Sequence, residues 1–201
     1  VSGNTFAGVW VADAVASLTD VDVDGNGADP DLGGGVGVGA VVTTGFTGMT
    51  WVRGRATGHP IAPVYVSGEG NFVFEGVTLE AGPVRTLPFV RDEVELGGHA
   101  LVAVDGVRGL DGSTGLTLTT VTLADYVRPG LLLVDAEGFL SPDVVFEPRP
   151  EATVDVQQQD CDTAQPIPDV PGRTVVECAP AEQSVFFERV VLPLPPPEST
   201  E

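Results

Sequence analysis

Short runs of Val, Thr, Leu and Phe recur along the chain and are broken at short intervals by Gly, Pro and Asp. Several runs alternate between apolar and polar residues, most clearly at 116–123, where apolar residues alternate with Thr. A period of two is typical of a strand with one buried face. Residues 131–134 are apolar throughout, which predicts a strand that is central or covered by another layer. Helix signals are scarce, so the pattern predicts an all-β protein.

The number and spacing of these runs predict an antiparallel β-sandwich. Residues 70–82 follow the pattern G-x-F-x-F-x-x-V-x-L-x-x-G. This stretch resembles the edge of the Ig-like and carboxypeptidase-regulatory-like sandwiches of bacterial surface proteins, and the resemblance implies the same fold here. Trp10, in the first apolar run, is expected to anchor the core.

The composition changes near residues 147–150, after which Pro becomes frequent. We therefore predict a sandwich domain over residues 1–147 and a Pro-rich C-terminal extension over 148–201. Cys161 and Cys178 are the only cysteines of the chain. In an exported protein they would pair and close a short loop, which stabilises by roughly 3 kcal/mol on a chain-entropy argument. In the cytosol they would be free thiols, and we favour the disulfide.

The segment 184–192 is unusually apolar for its place near the end of the chain. Two alternatives remain open. The segment can dock as the last strand of its own sheet, or it can add to the sheet of a neighbouring copy. Through the second route it would build a homo-oligomer or join a larger assembly.

Residues 20–31, in the sequence D-V-D-V-D-G-N-G-A-D-P-D, form a candidate calcium loop. Carboxylate and amide oxygens are the ligands that calcium prefers, and the glycines let the backbone fold around an ion. The run can be read from Asp20 or from Asp22, and both registers remain open. The candidate ligands are Asp20, Asp22, Asp24, Asn26, Asp29 and Asp31.

The register that starts at Asp22 gives the pattern D-x-D-x-N-G-x-x-D. It resembles the calcium loops of dockerins, thrombospondin type 3 repeats and FG-GAP repeats. The resemblance covers about a dozen residues and implies a local metal-binding habit with Ca²⁺ as the cofactor. The alternative is a solvated acidic turn, because Asp, Asn, Gly and Pro favour turns in any case.

The chain of 201 residues has 29 acidic and nine basic residues, and its formal net charge is −20. All nine basic residues are Arg. Nucleic acid is therefore not expected as a partner, because phosphate binding needs clustered Lys and Arg. No apolar run approaches the roughly 20 residues of a membrane-spanning helix. The acidity, the calcium loop and the Thr- and Gly-rich strands together favour an extracellular, cell-surface or periplasmic protein.

No catalytic motif stands out, so we do not expect an enzyme. His59 and His99 lie outside any metal-ligand spacing, and the run 111–115 lacks the first glycine of a nucleophile elbow. The favoured function is a secreted or cell-surface structural subunit stabilised by calcium. A carbohydrate- or protein-binding module is the alternative, with an exposed aromatic as its stacking residue. The candidates for that residue are Trp10, Trp51, Tyr65 and Tyr126. An unrecognised hydrolase is the third hypothesis.

Overall fold

The computed structural model describes residues 1–4, 6–27, 35–41, 45–89, 92–104, 107, 115–134, 136, 138–152, 154–159 and 176–179. Within these residues the chain forms β-strands, numbered here in chain order. Their bounds are β1 Ala7–Ala12, β2 Val15–Asp24, β3 Val36–Val41, β4 Thr47–His59, β5 Ala62–Ser67, β6 Gly70–Ala81, β7 Arg85–Phe89, β8 Asp92–Leu96, β9 Leu101–Val104, β10 Leu116–Thr119, β11 Thr122–Ala124, β12 Leu131–Val134, β13 Gly138–Leu140, β14 Val145–Glu147, β15 Val156–Gln159 and β16 Val176–Ala179.

The strands form two parallel sheets that the chain visits in turn. Sheet 1 has the order β1-β3-β5-β9-β12-β15-β16. In sheet 2, β2 pairs with β4, and β4 pairs with β6. Strands β10 and β11 both pair with β6, along different parts of it. Strand β13 then pairs with β10, and β14 pairs with β11. From β1 to β14, each circuit of the chain therefore places one strand on sheet 1 and one or two consecutive strands on sheet 2. The result is a stack of coils, a β-solenoid, whose backbone hydrogen bonds run along the stacking axis.

The prediction of an antiparallel Ig-like sandwich is wrong. Every strand pair of sheets 1 and 2 is parallel. An antiparallel pair is formed by β7 and β8, which lie between β6 and β9 along the chain. The error has a physical origin: alternation of apolar and polar residues reports which side of a strand is buried, and it is the same for parallel and antiparallel neighbours.

In-register stacking of aliphatic side chains builds the core between the sheets. In sheet 1 one inward column runs through six successive strands, and its members are Val9, Val38, Val64, Leu101, Leu131 and Val156. Sheet 2 faces it with the largest fully buried side chains, among them Trp51, Phe72 and Phe74. Trp10, expected as the core anchor, instead packs with a second apolar cluster outside this core.

Sheet 2 bends at the same position in successive coils. Asp20 and Arg53 occupy equivalent positions in β2 and β4, and Gly76 follows in β6. Their φ values are 55°, 55° and 63°, and Thr120, between β10 and β11, has a φ of 54°. A left-handed residue costs roughly 1–2 kcal/mol when it is not glycine. A left-handed residue recurs here in successive coils, which indicates that each coil turns a corner at this position. At the same corner the fourth strand is interrupted, so that it forms two strands, β10 and β11.

The coil stack continues past the domain boundary expected at residue 147. Strands β15 and β16 extend sheet 1 in register, with Val156 beside Leu131 and Val176 beside Val156. Cys178 lies in β16, paired with Gln158, whereas Cys161 and the segment 184–192 lie outside the described residues. The Cys161–Cys178 disulfide and the Pro-rich extension therefore stay predictions.

The two sheets differ in their outer faces. Strands β3, β5, β9 and β12 are buried at every position, so sheet 1 is covered on both sides. Sheet 2 alternates instead between buried and partly exposed positions, as in β10. The residues 131–134, apolar throughout, thus form a strand covered on both faces, in line with the expectation from their composition.

Candidate functional site

The acidic run begins on a strand. Residues 20–24 are the end of β2, where Val23 is buried and Asp22 and Asp24 are exposed on the outer face of sheet 2. Side chains two residues apart point to the same side of a strand, so these two carboxylates share that face. Asp29 and Asp31 lie outside the described residues.

Asp20 is engaged by an arginine at the corner of sheet 2. Arg53 Nε donates to Asp20 Oδ1 at 2.7 Å, and Arg53 Nη2 donates to Oδ2 at 2.9 Å. This two-pronged hydrogen bond lowers the pKa of the Asp20 carboxyl below its ordinary value. Both side chains are exposed, so the pair contributes little to stability. Its consequence is positional: both carboxylate oxygens of Asp20 face Arg53.

A second arginine, Arg55, lies among the carboxylates of the outer face of sheet 2. It is opposite Asp22 in the backbone register of β2 and β4. Its Nη2 lies 2.5 and 2.6 Å from the two carboxylate oxygens of Glu80, and Thr57 Oγ1 donates to Glu80 Oε2 at 3.0 Å. The hydrogen bond from Arg55, followed by that from Thr57, lowers the pKa of Glu80. The acidic face is therefore partly neutralised by its own arginines.

Asn26 points into the protein. It is buried, and its Oδ1 accepts hydrogen bonds from the backbone N–H of Asn4 at 3.0 Å and from Asn4 Nδ2 at 3.2 Å. Gly27 N–H in turn donates to the Asn4 carbonyl at 2.7 Å. These bonds fasten residues 1–4 to the end of β2. The side-chain oxygen of Asn26 thus joins residues 1–4 to the end of β2.

The described residues of the acidic run offer fewer free oxygen ligands than a calcium shell contains. Calcium takes six to eight oxygen ligands at about 2.3–2.6 Å. Asp22 and Asp24 offer carboxylates on one face, whereas Asp20 is bound to Arg53 and the Oδ1 of Asn26 to Asn4. No group of three or more His, Cys, Asp or Glu side chains in the described part of the chain is arranged to hold a metal ion. A calcium shell here would need Asp29 and Asp31 to complete it.

Both histidines hydrogen-bond to backbone carbonyls in the interior. His59 Nε2 lies 3.2 Å from the Val23 carbonyl, and His99 Nδ1 lies 2.7 Å from the Pro129 carbonyl. Each nitrogen donates, because a carbonyl only accepts. Burial lowers the pKa of His59, and burial lowers the pKa of His99 to about 4. The two rings are therefore neutral at pH 7 and act as packed donors that join neighbouring segments.

Three of the four aromatic candidates for ligand stacking are inside the protein. Trp51, Tyr65 and Tyr126 are buried, and Trp51 packs edge-on against Phe74 with 6.3 Å between ring centroids. Trp10 is partly exposed and packs edge-on against Phe6 at 5.0 Å. A flat sugar-binding platform needs exposed faces, so core and cluster packing accounts for the first three rings.

Two clusters of hydrogen-bonded polar side chains were not predicted, because no sequence motif marks them. Tyr126 donates its hydroxyl to the buried carboxylate of Asp155, which lies just before β15. Near the end of β10, Thr120 Oγ1 donates to Asp143 at 2.7 Å, and Ser141 donates to the same carboxylate. The Ser141 and Thr120 bonds lower the pKa of Asp143 to about 2. Both clusters join residues of successive coils, so they hold the stack together.

Comparisons with known proteins give no relative: no protein-family model, no curated protein and no solved structure matches the chain. In the part of the chain that the structure describes, no helix is both long and apolar enough to cross a membrane.

Proposed function

We propose that the protein is a structural component of an extracellular or cell-surface assembly, in which the β-solenoid acts as a rigid scaffold. The observation that carries this proposal is the unbroken register of sheet 1 from β1 to β16. In such a stack each coil contacts only its neighbours along the axis, and hydrogen bonds join them throughout. The stack thus gives a stiff body of defined length, which is what a spacer or support requires.

The surface chemistry supports the same proposal. The outer face of sheet 2 carries Asp, Glu, Thr and Arg, with ion pairs such as Arg55–Glu80 across its strands. A net charge of −20 keeps such a body soluble and repels polyanions. We propose protein partners for it, either further copies of the chain or other components of the assembly.

Cross-linking on intact cells of the source organism tests this proposal. The chain has no Lys, so the cross-linker should be a membrane-impermeant dihydrazide that couples to carboxylates, which the outer face of sheet 2 supplies. A cationic triazine coupling reagent (DMTMM) is added with it to activate the carboxylates, and the hydrazide then displaces the triazinyl oxygen to form an acyl hydrazide. We expect the protein to be recovered in products heavier than one chain without breaking the cells. A matched cytoplasmic acidic protein should stay unmodified in the same experiment. Recovery of the chain only after lysis, or only as a monomer, would reject the scaffold function.

Calcium remains part of the proposal, carried by Asp22 and Asp24 together with Asp29 and Asp31. We expect EDTA to lower the melting temperature by about 5–10 °C when free calcium had been about 100 times Kd. Asp22→Ala combined with Asp24→Ala should abolish this difference. Glu147→Ala with Glu151→Ala removes two exposed carboxylates elsewhere and should leave it intact. Superimposable melting curves with and without chelator would remove calcium from the account.

A further inference from the structure

The pair Asn26–Gly27 has a sequence that favours spontaneous deamidation. In this reaction the backbone nitrogen of the following residue attacks the side-chain amide carbon of asparagine, and glycine hinders the attack least because it has no side chain. The chain has three asparagines, and the residues after Asn4 and Asn71 are Thr and Phe. The sequence therefore marks Asn26 as the most reactive of the three.

In the folded protein both reacting groups of this pair are held by Asn4. Gly27 N–H donates to the Asn4 carbonyl at 2.7 Å. Asn26 Oδ1 accepts from Asn4 N–H at 3.0 Å and from Asn4 Nδ2 at 3.2 Å. The attacking nitrogen must first lose the proton that is bound here to a carbonyl oxygen, and the Asn26 amide must be free to turn toward that nitrogen. The folded arrangement therefore opposes the reaction.

The space around the Asn26 side chain does not suit a charged group. Asn26 is 1% exposed, and its Nδ2 has no hydrogen-bond partner within the protein. A Cβ atom on Gly8 would lie 2.4 Å from this nitrogen, 2.2 Å from Val23 Cγ1 and 2.9 Å from the Gly37 carbonyl oxygen. The amide thus packs against bare backbone and an apolar side chain. A carboxylate in its place would be a buried charge with too few donors, which is costly.

Residues 1–4, which we call the N-terminal clamp, also cover part of the edge of β2. The Val1 amino group donates to the Asp22 carbonyl at 2.8 Å, and Asp24 N–H donates to the Val1 carbonyl at 2.9 Å. Opening of the clamp therefore frees two backbone groups of β2 together with the Asn26–Gly27 pair.

We propose that Asn26–Gly27 is a deamidation site gated by the N-terminal clamp, and that the reaction keeps the clamp open. When the clamp detaches, the Gly27 nitrogen bonds to Cγ of Asn26, and the Cγ–Nδ2 bond breaks. The Gly27 proton leaves with Nδ2 as ammonia, and the product is a cyclic imide. Water then opens the ring to aspartate or isoaspartate.

Neither product restores the closed state. Each carries a carboxylate that cannot return to the buried position of the Asn26 amide, and isoaspartate also adds an atom to the backbone. The edge of β2 at Asp22 and Asp24 then stays free, and a free strand edge can pair with another strand. Deamidation therefore converts a covered end of sheet 2 irreversibly into one that can accept a strand.

Ageing of the full-length protein in mildly alkaline buffer tests the gate. Asp-N digestion releases residues 24–28 of the unmodified chain. Isoaspartate at position 26 changes the mass of this peptide, and aspartate there adds a cleavage site. Asn4→Ala removes one donor to Asn26, so we expect it to raise the rate about three- to tenfold. Gly27→Ala should slow the reaction, and its Cβ fits because the nearest atom is 3.9 Å away.

Tyr126→Phe is the matched control for the gate. It also removes one hydrogen bond, from Tyr126 to Asp155, but in later coils of the stack. The rate at Asn26 should equal that of the wild type. Two results overturn the gate: a rate in Asn4→Ala that is no higher than in the wild type, and an equal rise in Tyr126→Phe, which would mean that global unfolding controls the reaction.

Asn26→Asp reproduces the aspartate product and tests whether the clamp stays open. Asp24 N–H and Gly27 N–H donate to residues of the clamp, so NMR-detected hydrogen exchange of these two amides reports its closure. We expect their protection to fall about tenfold or more. Asn71→Asp makes the same charge change outside the clamp and should leave the protection unchanged. Protection in Asn26→Asp equal to that of the wild type would show that the product does not hold the clamp open.

Discussion

Replacing Trp51 by Ala is expected to lower the free energy of unfolding by about 3–5 kcal/mol. Trp51 is fully buried in β4, and its ring packs edge-on against Phe74 in the next coil. Removing the indole leaves a cavity in the middle of the stack, because the parallel ladders on both sides hold β4 in place. Chemical unfolding followed by circular dichroism measures the change.

Two matched variants separate this cavity from a general effect of losing a tryptophan. Trp51→Phe should cost much less than Trp51→Ala, because the indole Nε1 has no hydrogen-bond partner to lose. Trp10→Ala should also cost less, since Trp10 is partly exposed and packs outside the core. If Trp10→Ala proved as damaging as Trp51→Ala, the assignment of inside and outside on these coils would be wrong.

Lowering the pH from about 6.5 to about 4 is expected to remove about 3 kcal/mol of stability through His99. The ring is 6% exposed, and burial lowers its pKa to about 4. Between pH 6.5 and pH 4, His99 is therefore protonated in the unfolded chain and neutral in the folded protein. Stability falls through this window and levels off below it, where both states are protonated. His59, whose pKa is also lowered by burial, acts in the same direction.

His99→Asn isolates this contribution. The Asn Nδ2 takes the place of the ring Nδ1 that donates to the Pro129 carbonyl, and it does not titrate. Urea unfolding of both proteins between pH 4 and pH 8 gives the difference, from which the carboxylates and His59 cancel. The free energy of unfolding of the wild type, minus that of the variant, should fall by about 3 kcal/mol between pH 6.5 and pH 4. A difference that stays constant across the range would mean that His99 is not buried as a neutral ring.

The sequence pattern predicts that the fold consists of β-strands, but it does not predict whether neighbouring strands pair in parallel or antiparallel. Alternation such as that of residues 116–119 places one face inside, and the structure buries Leu116 and Leu118 accordingly. The informative signal was a different one: β3, β5, β9 and β12 are apolar on both faces, as in covered parallel sheets. Because the β7–β8 hairpin interrupts the third coil, these strands recur at uneven intervals, which hides the repeat.

The acidic run illustrates a second limit. A calcium loop and an outward strand face both place oxygen-bearing side chains at alternate residues, so Asp20, Asp22 and Asp24 satisfy either pattern. Whether these carboxylates bind a cation or pair with arginines depends on the side chains of the neighbouring strand. Arg53 and Arg55 come from the next coil, more than thirty residues away along the chain for the Asp20–Arg53 pair. Sequence spacing within the run carries no information about those partners.

Distances between spin labels on the outer face of sheet 2 test the parallel coil stack most directly. One column of that face contains Ser17, Thr50, Val73, Thr117 and Phe139 in register. With both cysteines replaced by Ser, labels at Ser17 and Thr117 should be about 14 Å apart, and labels at Ser17 and Phe139 about 19 Å, one strand spacing of about 4.8 Å further. A Ser17–Phe139 distance equal to or shorter than the Ser17–Thr117 distance would contradict the stack.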